Sequence, residues 1–282
     1  MTQGIKNPFV GADVGRALYG SADRLAARTG ALHRAKTAGR PATDVVVELA
    51  DAHRGQLDWR VVVDIGCGRG SSSQTLAVRL RPALLVGIDV SAAMLAEARR
   101  RMPDTVGTPG GSWTQGDFHR LPLQTGSCSL AVAAFCLYHS ARPEQAVAEI
   151  ARCLVPGGLI VLVTKSADSY HQLDDLVATA GLDHAACTRP SLYSTAHSEN
   201  LSTLAATALQ VCHVEHEQHR FTFTSLRHVA EYLATSPKYQ MPAALLGRAA
   251  AIQTALTAAV PDEPLETEST VTYVVARSQG PQ

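Results

Sequence analysis

The run Val61-Val62-Val63-Asp64-Ile65 passes directly into Gly66-Cys67-Gly68-Arg69-Gly70 and then into Ser71-Ser72-Ser73. A β-branched stretch of this length reads as a buried strand. Three glycines in GxGxG spacing read as a turn whose backbone can pass close to a ligand, and the serines open a helix with free backbone donors. No other feature constrains the fold as much, because a strand feeding a helix in this way must be followed by a strand parallel to the first.

The rest of the chain continues that pattern. Helical spacing over residues 12–29 and a second helix after Thr43, with Val46, Val47 and Leu49, precede the first strand. After it come a helix over residues 71–80 and a strand over 84–90 that contains Asp89. Ser91 then caps a helix carrying Met94, Leu95 and Ala98. The stretch from Gly107 is a loop, and a weakly marked strand follows near residues 112–115. Further strands lie at 129–134 and 159–164, separated by a helix that Pro143 starts. Beyond Thr164 the alternation fails: a helix at 169–180 and an irregular stretch to about Asn200 lead to strand 211–224. Helices near 225–235 and 242–259 come next, and strand 268–277 closes the series. The last two strands should pair as an antiparallel hairpin. The fold class expected is α/β, a Rossmann-like doubly wound seven-stranded sheet with an antiparallel terminal hairpin and a helical cap. The divisions are 1–58 (N-terminal helices, part of the cap), 59–167 (nucleotide-binding core), 168–208 (cap insertion) and 209–282 (terminal strands and helices completing the core).

Composition narrows the ligand. The 25 basic residues balance the 25 acidic ones, which leaves no electrostatic footprint for a nucleic-acid backbone or an anionic membrane. No run of eighteen apolar residues is present, so a cytoplasmic protein without a membrane span is expected. The six cysteines (Cys67, Cys128, Cys136, Cys153, Cys187 and Cys212) form no CxxC pair and read as reduced, mostly buried thiols. A small-molecule partner fits best, and a homodimer is left open.

Gly66, Gly68 and Gly70 alone would suit a dehydrogenase, a kinase or a plain tight turn. Asp89, closing the second strand about twenty residues later, is placed to accept from both hydroxyls of a ribose, though it could instead cap Ala92 or Ala93. Two later segments decide between these classes: Gly116-Asp117-Phe118-His119-Arg120-Leu121-Pro122-Leu123 and Glu149-Ile150-Ala151-Arg152-Cys153-Leu154-Val155-Pro156-Gly157-Gly158. With them, residues 60–166 resemble the class I S-adenosylmethionine-dependent methyltransferases, in the group of ubiquinone-biosynthesis and bacterial natural-product enzymes.

The resemblance implies S-adenosyl-L-methionine as cofactor and a role for each matching residue. Asp64 would support the turn beside the methionine amino group, Gly66 to Gly70 would pass beneath the methionine, and Asp89 would hold the ribose. Val90 and Met94 would flank the adenine. Asp117 would accept from the adenine amino group, Phe118 would pack beside the ring, and Ala134 would offer a backbone carbonyl. Tyr19 could close over the methionine carboxylate or be an ordinary helix residue. Many relatives carry Asp where Ser129 stands, at a position that is usually structural.

Methyl transfer asks a protein to position a nucleophile, exclude water and remove a proton. His139, after the fourth strand, is the candidate base, although a histidine there can also merely shape the pocket. Tyr138, His171, His197 and Glu199 are weaker candidates. His213, His216 and His219 lack a companion acid or cysteine in ligand register and read as a solvated face, so no metal is expected. The segment Ala133-Ala134-Phe135-Cys136 carries neither the acids of magnesium-dependent catechol enzymes nor a pattern that would hold a flipped base. The expected activity is metal-independent methyl transfer to an oxygen or nitrogen of a small metabolite, in bacterial specialised metabolism. Carbon methylation of an activated ring or enol, a cofactor-binding protein without methyl transfer, and a nicotinamide oxidoreductase are the alternatives.

Overall fold

The structure, a computed structural model, describes residues 7–10, 22–102 and 111–279. Tyr19 and most of the loop from Gly107 lie outside these residues. In chain order the elements are α1 (Ala22–Ala35), β1 (Lys36–Ala38), α2 (Ala42–Ala52), β2 (Val61–Ile65), α3 (Ser71–Leu80), β3 (Leu84–Asp89), α4 (Ala92–Arg101) and β4 (Ser112–Gln115). Then follow β5 (Cys128–Ala134), a 3₁₀ turn (Leu137–His139), α5 (Pro143–Cys153), β6 (Leu154–Lys165), α6 (His171–Thr179), α7 (Leu201–Ala206), β7 (Gln210–Phe223), α8 (Leu226–Leu233), α9 (Ala249–Ala259) and β8 (Leu265–Arg277).

One eight-stranded sheet, in the order β1-β7-β8-β6-β5-β2-β3-β4, carries the molecule. Strands β2 to β6 run parallel. β8 lies antiparallel between β6 and β7, so the expected hairpin is present. The eighth strand is β1, three residues that pair with the end of β7 through Lys36 opposite Phe221. Sequence patterning leads to seven strands because Lys36-Thr37-Ala38 has no apolar alternation to mark it.

Alternate residues of each strand feed opposite layers. Val62, Leu85, Leu130 and Val161 pack under α2 and α3 through Val46, Leu76 and Leu80. Val63, Ile88, Ala131 and Ile160 pack under α5 and α7 through Val147, Ile150 and Leu201. A fully buried side chain such as Ile150 contributes about 1.5–3 kcal/mol by leaving water, so the two layers fix the sheet from both sides.

A third apolar cluster forms the cap. It joins Ala31 and Ala35 of α1, Tyr170 and Leu173 at α6, Phe221 and Phe223 of β7, Val229 and Leu233 of α8, and Ile252 and Leu256 of α9. The cap therefore draws on both halves of the chain, with α8 and α9 part of it in addition to the N-terminal helix and the segment after β6. All six cysteines are free thiols; Cys67, Cys128, Cys136 and Cys153 are buried and Cys187 and Cys212 exposed. Among the described residues no helix is long and apolar enough to cross a membrane.

Candidate active site

The sheet reverses its strand order beside β2: β3 lies on one side and β5 on the other. In an open α/β sheet such a point leaves a crevice outside the carboxyl ends of the strands. A cavity of about 540 Å³ lies there, within the ~300–1,000 Å³ of small-molecule sites.

The glycine turn forms its floor. Gly66, Gly68 and Gly70 all take left-handed backbone angles, at φ 66°, 53° and 76°. The amides of Gly66 and Cys67 donate to the Ile88 carbonyl at 2.8 and 3.0 Å, which folds the turn over the end of β3. At Gly66 a β-carbon would lie 2.6 Å from the Cys136 Cβ, closer than any side chain tolerates. Gly66 and Gly68 line the cavity, whereas Gly70 packs against Ala98 outside it.

Asp64 is buried and is not on the cavity wall. Its Oδ2 accepts from the hydroxyls of Ser72 and Ser73, at 2.7 and 2.5 Å, and so clamps the first turn of α3 to the end of β2. Burial pushes its carboxyl up to about 6, against the pull of the two serines.

Asp89 reaches the cavity from the end of β3. One oxygen accepts from the Ser91 amide at 2.8 Å and the other from the Gly68 amide at 2.9 Å, tying the second strand to the turn. Burial raises its carboxyl above the usual range. It does not cap Ala92 or Ala93: the α4 cap is Ser91, whose hydroxyl accepts from the Met94 amide at 3.3 Å. Each Asp89 oxygen keeps a second lone pair for a ligand hydroxyl. Val90, Met94, Phe118 and Ala134 also line the cavity.

Asp117 also lines it, and its Oδ1 accepts from both the amide and the Nδ1 of His119, at 2.9 and 2.8 Å. His119 Nε2 in turn accepts from the Ser140 hydroxyl at 2.7 Å. The connectivity is that of a nucleophile triad, but Ser140 is fully buried and absent from the cavity wall, so the chain anchors the loop. A second anchor is Glu149, which accepts from the Leu121 amide at 2.8 Å and pairs with Arg152 at 2.7 Å. Arg152 donates onward to the Leu123 carbonyl at 3.0 Å. The two segments that marked the family thus touch, and His119 and Glu149 hold the loop carrying Asp117 and Phe118. Sequence reasoning assigns neither residue this work; their presence in those two segments is the only signal of it.

At the carboxyl end of β5 Phe135 takes a left-handed φ of 56°, a strained angle for a residue with a side chain, and the chain turns into the 3₁₀ segment. This turn sets Tyr138 and His139 on the cavity wall. His139 is buried and its Nδ1 donates to the Phe9 carbonyl at 3.0 Å, which makes Nε2 the basic nitrogen. Burial lowers its pKa to about 4, so the ring is neutral near pH 7. His171, His197 and Glu199 do not line this cavity.

The solvated-face reading of the β7 histidines needs correction. His213 and His219 share one face of the strand and His216 the other, and His219 is buried in the cavity wall, its ring against Gly39. Burial lowers its pKa to about 4. Among the described residues no group of three or more His, Cys, Asp or Glu side chains converges as a metal site would require.

The site also has counterparts among known proteins. The family model for a methyltransferase domain matches residues 63–162. An uncharacterised 37.1 kDa protein in a transposon of Streptomyces fradiae is 38% identical over 133 residues, covering 47% of this chain and 36% of that one. Trans-aconitate 2-methyltransferase of Acidovorax sp. (strain JS42) is 33% identical over 189 residues, covering 63% of this chain and 67% of that one. Among solved structures the (4+2)-cyclase SpnF superposes over 99% of both chains with a TM-score of 0.62 at 20% identity, a likeness of fold alone. The chain thus spans about a third of the first relative's length and two thirds of the second's.

Proposed function

Because this chain belongs to the class I S-adenosylmethionine-dependent methyltransferases, we propose that it methylates an oxygen or nitrogen of a small metabolite, without a metal, in bacterial specialised metabolism. The observation that carries the reading is the bond from the Gly68 amide to Asp89, which sets a ribose-binding carboxylate beside a turn stripped of side chains. The cavity residues fit the family's cofactor, which supplies an activated methyl group on a sulfonium.

In this reading Asp89 accepts from the ribose hydroxyls and Gly66 to Gly70 let the methionine portion approach the backbone. Val90, Met94 and Phe118 enclose the adenine, Asp117 accepts from its amino group, and the Ala134 carbonyl faces the donor. Asp64 acts indirectly, by holding α3 against the turn. The cap excludes water.

His139 accepts a hydrogen bond from the acceptor and takes its proton as the new bond forms. Its weak basicity favours oxygen over an aliphatic amine. An oxygen nucleophile becomes strongly acidic on methylation and can yield a proton to such an imidazole, whereas an alkylammonium would keep it. The same fold in a cyclase is a reminder that architecture does not choose the reaction.

The test is calorimetric titration with S-adenosylmethionine and, separately, with reduced nicotinamide dinucleotides, followed by incubation with metabolite pools and methyl-labelled cofactor. Binding of the sulfonium and appearance of a labelled product support the proposal. Tight nicotinamide binding with silence toward the sulfonium would overturn it.

A further inference from the structure

The charges on the cavity wall are segregated. Its acids among the described residues are Asp89 and Asp117, both at the end formed by β3 and β4. The opposite end presents Arg28, Lys36, Lys165 and Lys238, with no carboxylate among the described residues of that part of the wall. Lys238 is matched by Asp174 at 2.7 Å, and Lys36 donates to the Arg40 carbonyl at 2.7 Å.

Lys165 differs. It is the last residue of β6, half-buried, one strand away from the end of β5 where Phe135 and His139 are placed. Its Nζ donates to the Tyr170 hydroxyl at 2.5 Å and lies 4.7, 5.4 and 5.9 Å from the ring centres of Tyr170, Phe135 and Tyr193. No ion pair forms at it among the described residues. An ammonium has three donors; the Tyr170 hydroxyl takes one and the Tyr193 hydroxyl lies close enough to take a second. Aromatic faces attract a cation but compensate only part of the hydration it has lost. Burial accordingly lowers its pKa. The site has a positive charge, a donor left to fill and an aromatic surround without a carboxylate among the described residues: it is complete when an anion enters.

We propose that Lys165 anchors a carboxylate of the methyl acceptor, making the substrate class a carboxylic acid whose apolar body lies among Phe135, Tyr170 and Tyr193. This rests on the reading of the cavity as a methyl-acceptor site. Lys36 adds long-range attraction for the same anion, while the acids at the far end keep it from the cofactor's half.

The experiment uses the full chain with S-adenosylhomocysteine present and titrates in hexanoate and benzoate, then the neutral isosteres hexanamide and benzamide. The expected result is binding of the acids at least about tenfold tighter than that of the amides. In Lys165→Met that preference should collapse to near parity, and in Lys165→Arg a preference should remain. Lys165→Met should also melt no lower than the parent, since it removes a buried charge that lacks an anion. Amides binding as well as acids, acids failing to bind at millimolar concentration, or a preference surviving in Lys165→Met would each overturn the proposal. Should the Met variant fail to fold, the parent's acid-to-amide ratio still decides. The S-adenosylhomocysteine titration is read separately: its failure counts against the cofactor reading, and the acid and amide comparison is then made on the protein alone.

Discussion

A methyl group at Gly66 has no room, since it would meet the Cys136 side chain at 2.6 Å, and the backbone there has φ 66°. At Gly157 φ is 75°, but a β-carbon placed there would meet nothing within 4 Å. Gly66→Ala should therefore cost about 2–4 kcal/mol and Gly157→Ala only about 1 kcal/mol, the difference isolating contact from backbone strain. Urea midpoints of the two variants check this. Asp89→Ala should weaken S-adenosylhomocysteine binding by about 2 kcal/mol, roughly thirtyfold, in a calorimetric titration. His139→Ala should lower turnover by about a hundredfold with cofactor affinity intact, and the parent's rate should show no limb from this histidine between pH 6 and 8. Full activity of the variant would leave His139 a packing role. The glycines and Asp89 are legible in the sequence because their geometry is local to one strand–turn–helix unit. His219 and Lys165 are not: His219 meets Gly39 across the chain, and Lys165 gains its meaning from the rings of Phe135 and Tyr193, which are far from it in the sequence.

The elements that the sequence marks clearly are those with a period of their own. β2, β3 and β5 are short apolar runs, and α5 carries Ala146, Val147 and Ile150 on one face after a proline start. β1 and α7 escape because three and six residues are too few for a period to show, and both owe their form to neighbours: β1 to the end of β7, α7 to α5 and the β7–β8 ribbon. The loop between β4 and β5 has no period either and depends on outside support. Glu149→Ala removes the acceptor for the Leu121 amide and the partner of Arg152, and should cost about 1–3 kcal/mol of stability. Its cofactor affinity should fall as well, because Asp117 and Phe118 ride on that loop. A melting curve and a titration on the same variant test both; unchanged affinity would detach the loop from the site.

For the whole molecule, buried histidines set the response to acid. His139 and His219 both have pKa values lowered from 6.5 to about 4, so between those values the unfolded chain binds protons that the folded protein refuses. Their stabilisation is complete above pH 6.5 and is lost as pH falls toward 4. Asp64 opposes them: raised to about 6, it holds a proton in the folded protein that the unfolded chain releases down to 3.8, which favours folding as pH drops through that window. Asp89 and Asp174, also raised by burial, act in the same sense as Asp64, so the histidine part is read by difference: going from pH 7.5 to pH 5, the urea midpoint of His139→Gln should rise relative to the parent's. The strand order carries another consequence. β8 leaves the ribosome after both of its neighbours, yet it lies inside the sheet with one of them on each side. Until it arrives, β6 and β7 each present an unpaired backbone ladder to whatever other chains are nearby, an invitation to stick to them. A stop codon just before Leu265 should therefore yield inclusion bodies.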